Sequence, residues 1–153
     1  MSAIPYQIID TVPGHIHALS ESLRAGDRHE ITCAGLSPRK ALWRSYKGSI
    51  IRRTAIIDGE VGACWGIGGG FMGPTGQPWL MTSAAVEKVP ISFAREARKE
   101  VRAMLDLFPK LEGYVTASYG QACGFLRFLG FTLSNPVEVG PDRELFYTYR
   151  MER

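Results

Sequence analysis

A chain of 153 residues has the length of one domain, and 45% apolar against 22% charged residues describes a folded globular chain rather than a disordered one. The net charge of +3 is too small to call by itself for a polyanionic partner, and no apolar run reaches the roughly 18 residues of a membrane-spanning helix. Three widely spaced cysteines exclude a disulfide framework and point to a reducing compartment, while three histidines without any Cys-x-x-Cys lead to the expectation of no metal.

The apolar run at 6–9 predicts a first strand. Ile16, Leu19 and Leu23 recur at three and four residues and predict a helix, with Pro13 in its first turn. Gly26 and Asp27 read as a break. A second helix is expected over 28–34, stopped by Gly35. Ser37-Pro38 reads as the N-cap and first residue of a third, with Ala41, Leu42 and Trp43 turned inward. The period then changes. Residues 50–57 are rich in β-branched side chains, Asp58-Gly59 is a two-residue hairpin signal, and 61–67 is the returning strand. A glycine-rich connection over 66–76 leads to a further strand at 78–82, which completes an antiparallel meander. Residues 92–108 carry one apolar stripe, Phe93, Ala97, Val101, Met104, Leu105 and Phe108, and Pro109 ends that helix. The stretch 114–117 reads as a strand, parallel to the meander if the helix is a crossover. A last helix over 121–129 stops at Gly130, Phe131 starts a strand, and 145–151 is the final one.

Three signals are set aside. Gly68-Gly69-Gly70-Phe71-Met72-Gly73 matches a dinucleotide fingerprint literally, but that motif requires a helix directly afterwards, and Pro74, Gly76 and Pro78 forbid one. Cys33, Cys64 and Cys123 sit in apolar surroundings and read as small core residues, as do Trp43, Trp65 and Trp79. If Trp65 or Trp79 lines an open groove, an apolar acceptor becomes more attractive. His15 and His17 are two apart on one helix and form no pair. No acid interrupts the stretch from Glu30 to Asp58, where Arg39, Lys40, Arg44, Lys47, Arg52 and Arg53 fall. It reads as a solvated face, with phosphate or nucleic-acid binding as the alternative.

The order strand, helices, meander, helix, strand, helix, Gly-Phe, strand resembles the GNAT superfamily of N-acetyltransferases. Leu126-Arg127-Phe128-Leu129-Gly130-Phe131 looks like the end of that family's last helix, where a Gly-Phe pair starts the next strand. Together with Leu23-Arg24, Asp27-Arg28-x-Glu30 and Phe93-Ala94-Arg95-Glu96, it more narrowly resembles a GNAT-like group encoded by tailed phages, some of whose members are named internal virion proteins. The resemblance implies a single domain over 1–153. Its fold class is α/β (α+β), with a mixed central sheet, an antiparallel N-terminal meander, a parallel splayed pair and helices on both faces.

The resemblance also implies a function, acetyl-CoA-dependent transfer of an acetyl group to an amine, small molecule or peptide, in the cytoplasm. The pantetheine arm of acetyl-CoA would lie between the splayed strands, beside Met81, Thr82, Ser83 and Ser118. The pyrophosphate would sit on the N-terminus of the helix near Ser92, facing Arg95, with Arg98 and Lys99 in reach. Glu30 is the candidate general base and His29 the runner-up. Three departures stand against catalysis. Residues 84–91 contain no glycine where relatives carry a glycine-rich pyrophosphate loop, and Pro90 removes one N–H. Tyr119 stands where many relatives have asparagine. Leu126 stands where a tyrosine often protonates the departing thiolate, so Tyr119 becomes the substitute candidate. The alternative functions are therefore a catalytically inactive chain with a virion or assembly role, and a nucleic-acid-binding module. A homodimer is left open.

Overall fold

The computed structural model describes residues 3–69 and 73–153. The glycine-rich connection therefore lies partly outside the described residues. Along the chain run β1 (Tyr6–Asp10), α1 (Pro13–Ser22), α2 (Ala25–Cys33), α3 (Pro38–Lys47), β2 (Ser49–Ile57), β3 (Glu60–Gly69) and β4 (Thr75–Thr82). A single 3₁₀ turn (Ala84–Lys88) leads into α4 (Pro90–Leu107), β5 (Lys110–Thr116), α5 (Gly120–Leu129), β6 (Thr132–Leu133), β7 (Val137–Val139) and β8 (Glu144–Glu152). No helix among the described residues is long and apolar enough to cross a membrane.

The strands form one mixed sheet in the order β1-β2-β3-β4-β5-β8-β6, with β7 also on β8. Strands β1 to β4 are the antiparallel meander, and β4–β5 is the parallel pair. Period-two alternation divides the core between the two faces. On β3, Ala63, Trp65 and Ile67 pack with Val101 and Met104 of α4, while Cys64 joins Ile16, Leu19, Ile31 and Leu42 of α1–α3. The three cysteines are free and buried.

Most local signals act as read. Asp58 (φ 52°) and Gly59 (φ 79°) take the left-handed conformations that a two-residue hairpin requires. Ser37 accepts a hydrogen bond from the Lys40 N–H at 3.3 Å, and Gly130 ends α5 at φ 104°. Several boundaries differ, among them β3, which runs to Gly69, and β4, which starts at Thr75. Gly26 and Asp27 are not a break but the first turn of α2, because Asp27 finds a partner on β4 and Gly26 faces the ring of Tyr119, where a Cβ would collide. Helix α4 starts at Pro90 rather than Ser92, with proline at a position whose N–H has no helical partner anyway. The 3₁₀ turn, capped by the Ser83 hydroxyl, and the short β7, which forms a hairpin with β8, had no expected counterpart, and β5 starts at Lys110 rather than 114.

The parallel pairing covers only Thr75–Lys110 and Gly76–Leu111. Beyond it β4 and β5 part, for reasons visible in the side chains. Pro78 has no N–H with which to continue a ladder. Buried Tyr149 of β8 reaches across Gly113, whose missing Cβ makes room for the ring, and donates its hydroxyl to the Pro78 carbonyl at 3.1 Å. The Phe108 ring fills the space that a Cβ on Gly69 or Gly76 would take, and so seals the apex.

Gly66 has a comparable steric role within the meander. A methyl group there would run into the Ile51 carbonyl oxygen and crowd Trp79 Nε1. Gly66→Ala is expected to destabilise the fold by about 1–3 kcal/mol, read as a lower denaturation midpoint with an unchanged slope.

Candidate active site

Edge groups of the two diverging strands define the site. Ladder geometry leaves the N–H and C=O groups of alternate β4 residues, Pro78, Leu80 and Thr82, facing away from β3 into the gap. Thr82 is engaged completely. Its N–H and its hydroxyl each donate to Asp27 Oδ2 at 2.6 Å, and its carbonyl accepts the Arg24 N–H at 3.0 Å. Arg24 Nε donates to Thr82 Oγ1 at 2.8 Å. Pro78 has no N–H, and its carbonyl accepts from Tyr149. Leu80 alone of the three keeps both backbone groups without a described partner.

The tip of β5 is held in the same manner. Glu30 Oε2 accepts the Thr116 N–H at 3.3 Å and the Thr116 hydroxyl at 3.0 Å. Asp27 and Glu30 are three residues apart, hence on one face of α2. Helix α2 therefore spans the open end of the V, with one carboxylate fastened to each arm.

Burial governs the electrostatics. It pushes the Asp27 carboxyl up, against the opposing pull of the Thr82 hydrogen bonds and Arg24. It pushes Glu30 up to about 7, a rise that the Thr116 hydrogen bonds only partly offset. The Tyr119 hydroxyl, beside Asp27, is pushed up to about 12 by burial and by that negative charge.

A cleft of about 900 Å³ opens between the arms. Glu30, Tyr119, Met81 and Thr82 line it, together with an apolar wall that includes Trp79, Phe93, Phe125 and Leu126. Trp65 is buried against α4 instead.

The remaining sequence candidates lie elsewhere. Ser83 is buried and structural: its hydroxyl donates to the Val61 carbonyl at 2.9 Å and accepts the Ala85 N–H at 3.3 Å. Ser118 donates to Glu144 at 3.4 Å. Ser92 and Arg95 are exposed in the first two turns of α4, outside the cleft wall. Arg98 is occupied, stacked 4.0 Å over the Phe128 ring and donating to the Phe128 carbonyl, and Lys99 pairs with Glu96. His29 also lies outside the cleft wall, against Cys33 and Glu144. Within the basic stretch, Arg52 covers Tyr46, Arg53 pairs with Asp10, Lys47 lies over Trp43 and Arg44 lines the cleft. Asp27 and Arg24 are the site residues that sequence reading missed. The available signal was the i, i+3 spacing of Asp27 and Glu30, concealed by reading Gly26-Asp27 as a helix break.

No protein-family model matches the sequence, and no curated protein matches it either. Solved structures do. A GNAT-family acetyltransferase from Bacillus anthracis superposes with a TM-score of 0.70 at 8% identity, over 96% of this chain and 94% of that one. A candidate acetyltransferase from Acinetobacter baylyi ADP1 gives 0.74 at 14% identity, over 100% and 94%. A candidate acetyltransferase from Salmonella typhimurium, solved with its cofactor acetyl-CoA, gives 0.67 at 13% identity, over 96% and 93%.

The fold is that of the GNAT acetyltransferases. The superpositions extend over 96–100% of this chain. At these identities the likeness carries backbone and not side chains, so each site residue has to be argued from its own surroundings.

The cleft joins a free strand edge to an apolar wall. Leu80 offers an unpaired N–H and C=O on the gap-facing edge, and the apolar wall suits a thin, largely apolar chain. Ahead of α4 a 3₁₀ turn stands where the sequence resemblance implied a glycine-rich loop; the Ile91 and Ser92 amides of the first turn of α4 and Arg95, which has no ion pair among the described residues, are the groups there that could meet an anion.

Proposed function

We propose that this chain is an acyl-CoA-dependent N-acyltransferase that acetylates a small-molecule or peptide amine, with Glu30 as general base. The observation that carries the reading is Glu30 itself. It is a half-buried carboxylate on the cleft wall, with Oε2 fixed by Thr116, Oε1 without a described hydrogen bond, and an ionisation near neutrality. A base tuned to about 7 is half ionised where it works and holds a proton well enough to take it from an ammonium group.

Bound acyl-CoA would supply an acyl group activated as a thioester. Leu80 and Met81 on β4 would hold the arm, and Ile91, Ser92 and Arg95 would face the phosphates. Asp27 and Arg24 act as positioning residues: by engaging Thr82 they set the separation of the β4 tip from α2. Tyr119 keeps its proton at neutral pH and is a hydrogen-bond donor at the cleft, the candidate partner for a departing sulfur. The Trp79–Phe125 wall favours an acceptor with an apolar portion and limits the entry of water.

Calorimetric titration with acetyl-CoA and with free CoA tests the reading. Micromolar binding, followed by thiol release in a panel of amines, is the expected result. Absence of heat at millimolar cofactor would overturn it. The edge of β4 supports a second reading for that outcome, a chain that keeps the fold without turnover, for which the sequence resemblance suggests a role as an internal or assembly protein of a phage particle. Thr82 is already engaged and Pro78 cannot donate, so only Leu80 remains for a ligand. Co-purification with particles would then be the observation to seek.

A further inference from the structure

We infer that His29, Cys33 and Glu144 form a zinc site that clamps α2 to β8, on the side of α2 away from the cleft. The inference stands independently of any turnover in the cleft. His29 and Cys33 are four residues apart on α2 and share one face. Glu144 is the first residue of β8 and meets them from across the fold. His29 Nε2 lies 3.3 Å from Cys33 Sγ and 3.7 Å from Glu144 Oε1, and the three ligand atoms all lie within 4.8 Å of one another. Metal–ligand bonds of about 2.0–2.3 Å at tetrahedral angles place ligand atoms about 3.3–3.6 Å apart, so His29 Nε2 already stands close to binding separation from both of the other ligand atoms.

The backbone behind the cluster is preorganised. Gly140, in the turn before β8, packs on the Cys33 carbonyl so closely that no Cβ would fit, and its φ of 80° suits glycine alone. Access comes from one side: the His29 and Glu144 side chains are 54% and 29% exposed, whereas Cys33 is 6% exposed and forms the floor. A thiolate, an imidazole and a carboxylate together suit Zn²⁺ and disfavour Mg²⁺ and Ca²⁺, which prefer oxygen. Binding releases the Cys33 thiol proton to solvent and leaves a fourth position for water or a small ligand. This set escaped the sequence reading because only two of the three ligands share a helix and neither follows a Cys-x-x-Cys pattern.

The test uses the untagged full chain, freed of metal and titrated calorimetrically with Zn²⁺, with Mg²⁺ as control. One equivalent of Zn²⁺ at micromolar affinity or tighter, no Mg²⁺ binding, and a near-ultraviolet thiolate band with Co²⁺ are expected. His29→Ala, at an exposed position that leaves the circular dichroism spectrum unchanged, should weaken Zn²⁺ binding at least about tenfold and abolish the rise in Tm that Zn²⁺ gives the parent. Cys33→Ser should remove the Co²⁺ thiolate band. No saturable Zn²⁺ binding, or binding that His29→Ala leaves unchanged, would overturn the assignment.

Discussion

Replacing Glu30 by glutamine is expected to lower kcat/KM for amine acetylation by about 100- to 10,000-fold while binding of free CoA persists. Glutamine keeps the shape and can still accept from Thr116, but it cannot take a proton. The pH profile separates this from a merely structural effect. In the parent, kcat/KM should rise through an apparent pKa of about 7 as Glu30 ionises, and Glu30→Gln should lack that limb. A variant that keeps both rate and limb would remove Glu30 from the mechanism.

The same carboxyl also shapes stability. Its folded-state pKa is raised from 4.5 to about 7, so between those values the folded chain holds a proton that the unfolded chain has released. Stability is therefore fully present below the lower value and falls as pH rises towards the upper one, on the order of 3 kcal/mol across the window. Raised Asp27 acts in the same direction. Urea denaturation at about pH 5 and about pH 8 should show a smaller difference in Glu30→Gln than in the parent.

Leu111→Ala is expected to cost about 2–5 kcal/mol of stability. Leu111 is fully buried, pairs with Gly76 at the last parallel step and lies opposite Met151 of β8. It thus packs where the two arms of the V diverge, and truncation leaves a cavity that rigid strands on both sides cannot fill. Leu111→Met, which conserves volume, should cost less than about 1.5 kcal/mol. Under conditions where both variants are folded, the alanine variant should bind CoA more weakly, because the apex sets the separation of the arms. Denaturant midpoints measure the first effect and calorimetry the second. A loss below about 1 kcal/mol for alanine would show that the apex is not packed in this manner.

The chemistry of the site and the shape of the site became legible at different levels. Glu30, Met81, Thr82 and Tyr119 could be named from sequence because the order of elements resembled a known fold, and all four line one cleft. What each can do depends on neighbours that sequence distance conceals. Thr82, expected to meet a cofactor, is held by Asp27 across a separation of 55 residues. Thr116 meets Glu30 across 86, and that contact with its burial sets the ionisation of the carboxyl. Ser83 and Ser118 lie beside the expected strands, yet their hydroxyls turn to Val61 and Glu144.

Sequence by itself determined the elements whose causes are local. The Asp58-Gly59 hairpin requires two left-handed residues, the Ser37 cap requires a short acceptor side chain, the Gly130 stop requires positive φ, and the stripe of α4 requires period 3.6. Only the tertiary structure decided where α2 begins, how far β4 and β5 pair, and which carboxylate faces which strand tip. Those outcomes balance a weak local preference against hydrogen bonds, burial and ring packing between distant segments, and at Gly26-Asp27 the distant partners Tyr119 and Thr82 prevail over the local break signal.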